Sequence, residues 1–273
     1  MRRMTDPADW SRAADPARRI GRAVEFHARI GSTNDRARAA LAEPGGAGLA
    51  VVSDQQAAGR GRRGRSWISP AGANLLVSVG LRPAIGPPLA GLLGFAAALA
   101  VHDACTTFVP GTSLAIRWPN DVVDGEGRKL AGLLIETAIE GGELVEAVIG
   151  IGINVNWRPD EMPAQIAGRA TSLLALGGGP LDRVELLRRL LEALEAELAA
   201  LEAGNSPVER LRAVSWLDGR QAEVDTGAQT IAGRVVGIAD DGSLLLEAAS
   251  GRLALGVGEV VRVQEPMPAG LPA

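Results

Sequence analysis

The chain has 273 residues, 47% of them hydrophobic, which is enough for a sizeable core in one large domain or in a medium and a small one. Its 28 basic and 32 acidic residues leave a formal net charge of -4, which argues against the basic face of a general nucleic-acid-binding protein. One cysteine, Cys105, excludes an internal disulfide and a cysteine zinc cluster, and with no signal peptide visible a cytoplasmic location is expected.

Residues 1–22 mix arginine, aspartate, alanine and proline without an apolar period. They read as a flexible extension, too short for a helix-turn-helix head. A catalytic domain is expected over 23–216. Ser32 or Thr33 can cap a helix running through Ala37, Ala40 and Leu41 to Gly45 and Gly46. Residues 49–53 read as a short buried strand leading into Asp54, Gln55 and Gln56.

The stretch GRGRRGRSW, residues 59–67, follows, with four arginines and three glycines. Arginine keeps its charge and glycine lets the backbone fold closely, so this loop is either a solvated basic turn or a site for a specific anion. Its glycines satisfy G-x-G-x-x-G and come near a Walker A pattern, but each of those motifs needs a helix to begin at the loop. Here Trp67, Pro70 and Gly72 lead instead into a strand over 74–81, so neither motif applies.

Pro87 and Pro88 open an alanine-rich helix expected to reach Phe108. Its apolar run, 89–101, falls short of the roughly 20 residues of a membrane span and reads as a buried helix. A strand to Trp118, a turn at 124–127, a strand over 129–139, a Gly141-Gly142 turn and a strand over 144–155 make an antiparallel meander. A helix over 182–203 carries leucines at 186, 187, 190, 194, 198 and 201 on one face, with Glu185 completing a capping box. A second capping box, Ser206 to Glu209, opens a shorter helix ending near Trp216. Five short strands over 217–264 make a small all-β domain, and 265–273 read as a frayed tail. His27, His102 and Cys105 are too scattered for a metal site.

Of the 28 basic residues only Lys129 is a lysine. Arginine has taken nearly every site where either cation serves, so the remaining lysine suggests a need for a compact, movable ammonium.

Gly31-Ser32-Thr33-Asn34, Gln56, the arginine loop, Arg117-Trp118-Pro119-Asn120-Asp121, Arg128-Lys129-Leu130-Ala131-Gly132 and the run from Gly150 to Asn156 occur in that order. Together they resemble the biotin protein ligases, in the short form without an N-terminal DNA-binding domain, over residues 24–264. The resemblance implies an α/β (α+β) fold, with a mixed, largely antiparallel sheet and flanking helices of the class II synthetase-like kind, followed by an SH3-like barrel. It implies activation of biotin with MgATP to biotinyl-5′-adenylate, then transfer to a lysine of a biotin carboxyl carrier protein. A monomer or homodimer is expected, with no nucleic-acid or membrane partner.

By the same resemblance Ser32, Thr33, Asn34 and Gln56 hold biotin, although the hydroxyls can also cap the helix. Gly59, Arg60, Gly61, Arg62, Lys129 and Gly132 complete the biotin site, with the loop glycines as hinges of a lid. Arg63 and Arg65 lie nearer the phosphates or on the outer face of the loop. Trp67, Asn120, Asp121, Lys129 and Asn154 belong to the nucleotide site, with Asp121 as the Mg²⁺ residue unless it and Asn120 form only a turn. Lys129, Arg62 and Asp121 are the catalytic set. Arg117 stands where the family usually has lysine. A lipoate or octanoate ligase or transferase of the same fold, a non-catalytic biotin or nucleotide sensor, and a nucleic-acid module are the alternatives.

Overall fold

A computed structural model describes residues 7–264; the tail expected over 265–273 and the first residues of the N-terminal extension lie outside the described residues. The described residues open with a short helix α1 (Pro7–Trp10), a 3-10 turn (Ser11–Ala13) and strand β1 (Val24–His27). Helix α2 (Thr33–Leu41) then crosses to β2 (Ala50–Ser53), which pairs parallel with β1. After the arginine loop come β3 (Leu75–Leu81), α3 (Pro87–Ala90), α4 (Leu93–Thr106) and the meander β4 (Leu114–Arg117), β5 (Asp121–Asp124), β6 (Lys129–Glu140) and β7 (Glu143–Ile153). These strands form one seven-stranded sheet in the order β1-β2-β3-β7-β6-β5-β4, in which all pairs but β1 with β2 are antiparallel. The mixed, largely antiparallel sheet expected from the sequence is therefore present.

Strand periodicity decides which layer each side chain joins. On β2, Ala50 and Val52 face the main core with α4, whereas Val51 joins Ala37, Leu41 and Val148 under α2. Gly80 on β3 brings α2 close: a Cβ there would lie 2.6 Å from the Ala37 carbonyl oxygen. The stretch Pro87–Thr106 is long and apolar enough to cross a membrane, with a mean hydropathy of 1.5. It breaks at Gly91 and Leu92 into α3 and α4, and residues 96–101 of α4 are buried in the core.

Helix α5 (Leu173–Gly177) and the long α6 (Arg183–Glu202) complete the helical layer, with α6 lying along α4. Asp182 caps α6 by accepting the Val184 N–H at 2.8 Å, but Glu185, expected as its capping-box partner, instead pairs with Arg188 and Arg189. The leucine stripe is buried from Leu186 to Leu201, as the 3.6-residue period requires.

The N-terminal segment departs from expectation, because from Asp9 to Arg22 it is packed rather than loose. Trp10 is fully buried and stacks on Phe26 with ring centroids 5.7 Å apart, and Ile20 is fully buried as well. The Ile20 N–H donates to Glu195 Oε2 on α6 at 2.6 Å, and Arg19 pairs with Glu202. Gly21 has φ 75°, and a Cβ there would meet Leu191 at 2.6 Å.

Beneath the same layer, Arg183 at the start of α6 donates to Asp54 Oδ1 at 2.8 Å and to the Asn74 carbonyl at 2.9 Å. Both side chains of this ion pair are at least 95% buried, at 5% and 2% exposure, and the Arg183 guanidinium also lies 5.2 Å from the Trp10 ring centroid. Asp54 directly follows β2 and precedes Gln55 and Gln56, so the pair fixes the root of the arginine loop to the helical layer.

After α7 (Val208–Ala213), strands β8 (Gln221–Asp225), β9 (Thr230–Ile238), β10 (Leu244–Ala248), β11 (Gly251–Leu255) and β12 (Glu259–Gln264) form an antiparallel SH3-like sheet in the order β11-β10-β9-β8-β12. It seats on the first domain at Gly242, whose carbonyl accepts the buried Trp118 Nε1–H at 3.0 Å. A Cβ on Gly242 would lie 2.3 Å from the Phe95 ring. Trp118 is thus a core residue at the junction of the two sheets.

Candidate active site

A cavity of about 270 Å³ opens on the α2 face of the sheet, between the N-terminus of α2, the arginine loop and strands β3, β6 and β7. Ser32, Thr33, Asn34 and Gln56 line one end. Ser32 stands at the N-cap of α2 yet makes no side-chain bond to the helix. Gln56 does that work: its Oε1 accepts the Thr33 N–H at 2.8 Å and lies 3.1 Å from Thr33 Oγ1. One of the four open donors of the helix end is thereby satisfied from outside, and the Ser32 hydroxyl is left to the cavity.

Two residues behind this cluster escaped the sequence reading. Ser78 Oγ sits 2.7 Å from Thr33 Oγ1 and 2.6 Å from Asn34 Oδ1, fully buried in β3. Its signal was present in the sequence as a single hydroxyl inside the apolar run LLVSVGL, where burial demands a partner. Glu136 accepts from Asn34 Nδ2 at 2.7 Å and pairs with Arg38 and Arg60. Nothing local in the sequence marks Glu136; its role arises from where β6 runs under α2.

The floor is main chain. Gly132 on β6 and Gly150 and Gly152 on β7 leave room that side chains from elsewhere occupy. A Cβ on Gly150 would lie 2.1 Å from Asn34 Oδ1, and one on Gly152 would lie 2.5 Å from the Trp67 indole. One on Gly132 would fall 2.6 Å from both Lys129 Cε and Nζ. Trp67 lies over these glycines, and its ring centroid is 5.4 Å from Lys129 Nζ. Leu133, Leu134, Trp157, Ile166 and Ala170 supply apolar wall that the sequence did not single out.

At the far end stand Arg62, Asn120 and Lys129. Arg62 Nη1 donates to Asn120 Oδ1 at 3.3 Å, and among the described residues it has no carboxylate partner. Burial pulls its guanidinium below the ordinary arginine value. A half-buried, unpaired cation is costly unless an anion joins it. Lys129 Nζ is 2.6 Å from Asp121 Oδ1, and Arg117 Nη2 is 2.9 Å from Asp121 Oδ2. Burial of Asp121 raises its pKa, but Lys129 and then Arg117 outweigh that, so the carboxyl stays below its usual range.

Asp121 itself does not line the cavity; it lies behind Lys129 as a brace. Asn154 lines the wall, but its amide donates to the Thr171 and Lys129 carbonyls, and its Oδ1 accepts from Asn74. Gly59 is a turn residue just outside, where a Cβ would lie 2.9 Å from the Trp67 carbonyl.

The arginine loop folds back on itself, with Gly61 N–H donating to the Arg65 carbonyl at 2.6 Å and Trp67 N–H to the Gly59 carbonyl at 3.0 Å. Arg60 and Gly61 line the cavity, and Arg60 is held bidentate by Asp35, at 2.9 and 2.7 Å. Arg63 turns its guanidinium outward to Asp225 and is not brought to the cavity, whereas Arg65 lines the cavity with its guanidinium paired to Glu259. The lining residues include Arg60, Arg62, Arg65 and Lys129 and no aspartate or glutamate. In a chain of net charge -4, that is a site built for anions.

Comparison with known proteins agrees with this geometry. Residues 26–154 match the model of the biotin/lipoate A/B protein ligase family, and residues 219–263 match that of the biotin protein ligase C terminal domain. The biotin--[acetyl-CoA-carboxylase] ligase of Mycobacterium tuberculosis is 35% identical over 249 residues, covering 89% of this chain and 90% of that one. The enzyme of the same name from Paracoccus denitrificans is 37% identical over 242 residues, covering 85% of this chain and 98% of its own. Among solved structures, the biotin protein ligase from Aquifex aeolicus in complex with biotin and ATP superposes with a TM-score of 0.71 at 28% identity, covering 88% of this chain and 98% of that one.

Proposed function

Because this chain belongs to the biotin protein ligases, we propose that its cavity joins biotin to ATP and hands the biotinyl group to a lysine of a biotin carboxyl carrier protein. The observation that carries the reading is the half-buried, unpaired Arg62 beside Lys129, at the end of a cavity whose other end is a cluster of hydroxyls and amides. The polar cluster suits a neutral ring with N–H and C=O groups, and the cationic end suits a carboxylate brought against a phosphate.

In the first step a biotin carboxylate oxygen bonds to the α-phosphorus of ATP, and the bond to the β-phosphate oxygen breaks, releasing pyrophosphate. Two anions must approach to about 3 Å, and preorganised cations lower the cost of that approach and of the charge on the transition state. Lys129 is aimed at the junction by Asp121, and Arg62 is aimed there by Asn120. In the second step a neutral lysine amine of the carrier attacks the acyl carbon, the bond to AMP breaks, and AMP departs. Trp67 and the loop would cover the mixed anhydride until that amine arrives, which limits hydrolysis.

The residues fit a Mg²⁺ that arrives on the phosphates rather than one held by the protein alone. Among the described residues no group of three or more His, Cys, Asp or Glu can hold an ion. Mg²⁺ in nucleotide sites is commonly held by one or two carboxylates together with substrate phosphates, but Asp121, expected from the sequence as that carboxylate, lies behind Lys129 with both oxygens paired to Lys129 and Arg117, so the phosphates would hold the ion here. Bound there, the ion adds positive charge to the phosphates. A cytoplasmic location belongs to the same proposal, since carboxylase carrier domains and ATP are available there.

Biotin-dependent exchange of labelled pyrophosphate into ATP tests the reading, with lipoate run beside it. Exchange with biotin is expected; exchange with lipoate alone would move the chain to the other branch of its family. Ser78→Ala is expected to weaken biotin binding about tenfold, because Thr33 and Asn34 lose a buried partner. Calorimetric titration with biotin measures this, and unchanged affinity would remove Ser78 from the site.

A further inference from the structure

The arginine loop is clasped from outside the catalytic domain. Asp225 ends β8 and Glu259 begins β12, and the two lie directly opposite each other in the antiparallel register. Like charges in that position destabilise a sheet unless something neutralises them. Here the neutralising groups come from the loop: Arg65 Nη1 lies 2.6 Å from Glu259 Oε1, and Arg63 Nη1 lies 2.5 Å from Asp225 Oδ2. Arg63 Nη2 also donates to the Asp225 carbonyl at 2.9 Å.

Both sides of the clasp are shaped for it. Asp225 Oδ1 accepts the Gly227 N–H at 2.7 Å, which turns Oδ2 toward Arg63. That backbone bond, and Arg63 after it, hold the carboxyl below its usual range despite some desolvation, so it is ionised at neutral pH. Arg63 is the only non-glycine residue with positive φ among those described, at 54°, a conformation that costs energy and persists where contacts impose it. With Arg63 and Arg65 tied to the C-terminal sheet, the neighbouring Arg62 faces Asn120 and the cavity.

We propose that Asp225 and Glu259 are positioning residues of the C-terminal sheet that latch the arginine loop over the cavity, and so set how fast bound nucleotide and adenylate escape. The role in retention rests on the ligase reading; the latch itself does not. The two pairs are partly exposed and worth little to global stability, so their effect is confined to the loop.

Trypsin reports the loop directly, since Arg62, Arg63 and Arg65 are all cleavage sites. In Asp225→Asn/Glu259→Gln, cleavage within 59–67, located by mass spectrometry, is expected to be about tenfold faster than in the parent, with the melting temperature unchanged. The charge swap Arg65→Glu/Glu259→Arg is expected to regain protection at Arg62 and Arg63, where either single change loses it. With biotin and ATP, the double variant is expected to show a raised KM for ATP and faster loss of preformed adenylate, with kcat changed less. Equal cleavage rates in parent and double variant would overturn the latch. If the parent makes no biotinyl-adenylate, the ligase reading falls while the cleavage comparison still decides the latch.

Discussion

Lys129→Ala lowers the rate of adenylate formation by roughly 10³-fold, the scale on which removal of one preorganised charge or donor acts on a transition state. The ammonium is 2.6 Å from Asp121 and faces the cavity between Trp67 and Gly132, so its loss removes half of the charge aimed at the carboxylate–phosphate junction. Folding changes little, because Asp121 keeps Arg117 at 2.9 Å. Lys129→Arg keeps the charge but not the shape. The space around Nζ is so close that a Cβ on Gly132 would lie 2.6 Å away, and a planar guanidinium does not fit there. A loss of about 10²-fold is expected for it. Pyrophosphate exchange and single-turnover formation of biotinyl-adenylate measure both, and an alanine variant that turns over like the parent would take Lys129 out of the mechanism.

Asp54→Ala has the largest expected effect on stability, about 3–5 kcal/mol, because it removes one member of a buried ion pair. For a chain of this size that is a fall in melting temperature of roughly 10 °C. The second change, Arg183→Met in the same chain, is expected to recover most of the loss, since replacing both members of a buried ion pair by apolar groups costs less than removing one of them. Thermal unfolding of the single and double variants decides this; an additive double variant would mean that the two side chains do not act as a pair. Because Asp54 roots Gln55 and Gln56, the single variant is also expected to bind biotin less well at temperatures where it is folded.

Most of the candidate site was legible because its residues come in short runs with unusual chemistry. GRGRRGR, WPND and RKLAG concentrate charge and backbone freedom within a few positions, and the fold brings these runs to one cavity. The five short strands expected over 217–264 are present as β8 to β12. What was not legible depends on distant partners. Trp10 and Ile20 look like isolated apolar residues in a polar stretch, and their burial comes from Phe26, Arg183 and α6, up to about 175 positions away. The pairing of Arg63 and Arg65 needs Asp225 and Glu259, and the bracing role of Asp121 needs both Arg117 and Lys129. Local period carries no information on such pairings.

The floor formed by Gly132, Gly150 and Gly152 has a consequence for changing what the enzyme accepts. A surface of main chain has no rotamers, so the Asn34, Trp67 and Lys129 side chains that lie on it meet one fixed shape. Substitution there can only push those side chains, by at least one methyl group. Variation in cargo must therefore be written in the walls, at Ser32, Ser78, Leu133, Leu134 and Ile166, while the floor sets where Asn34, Trp67 and Lys129 stand.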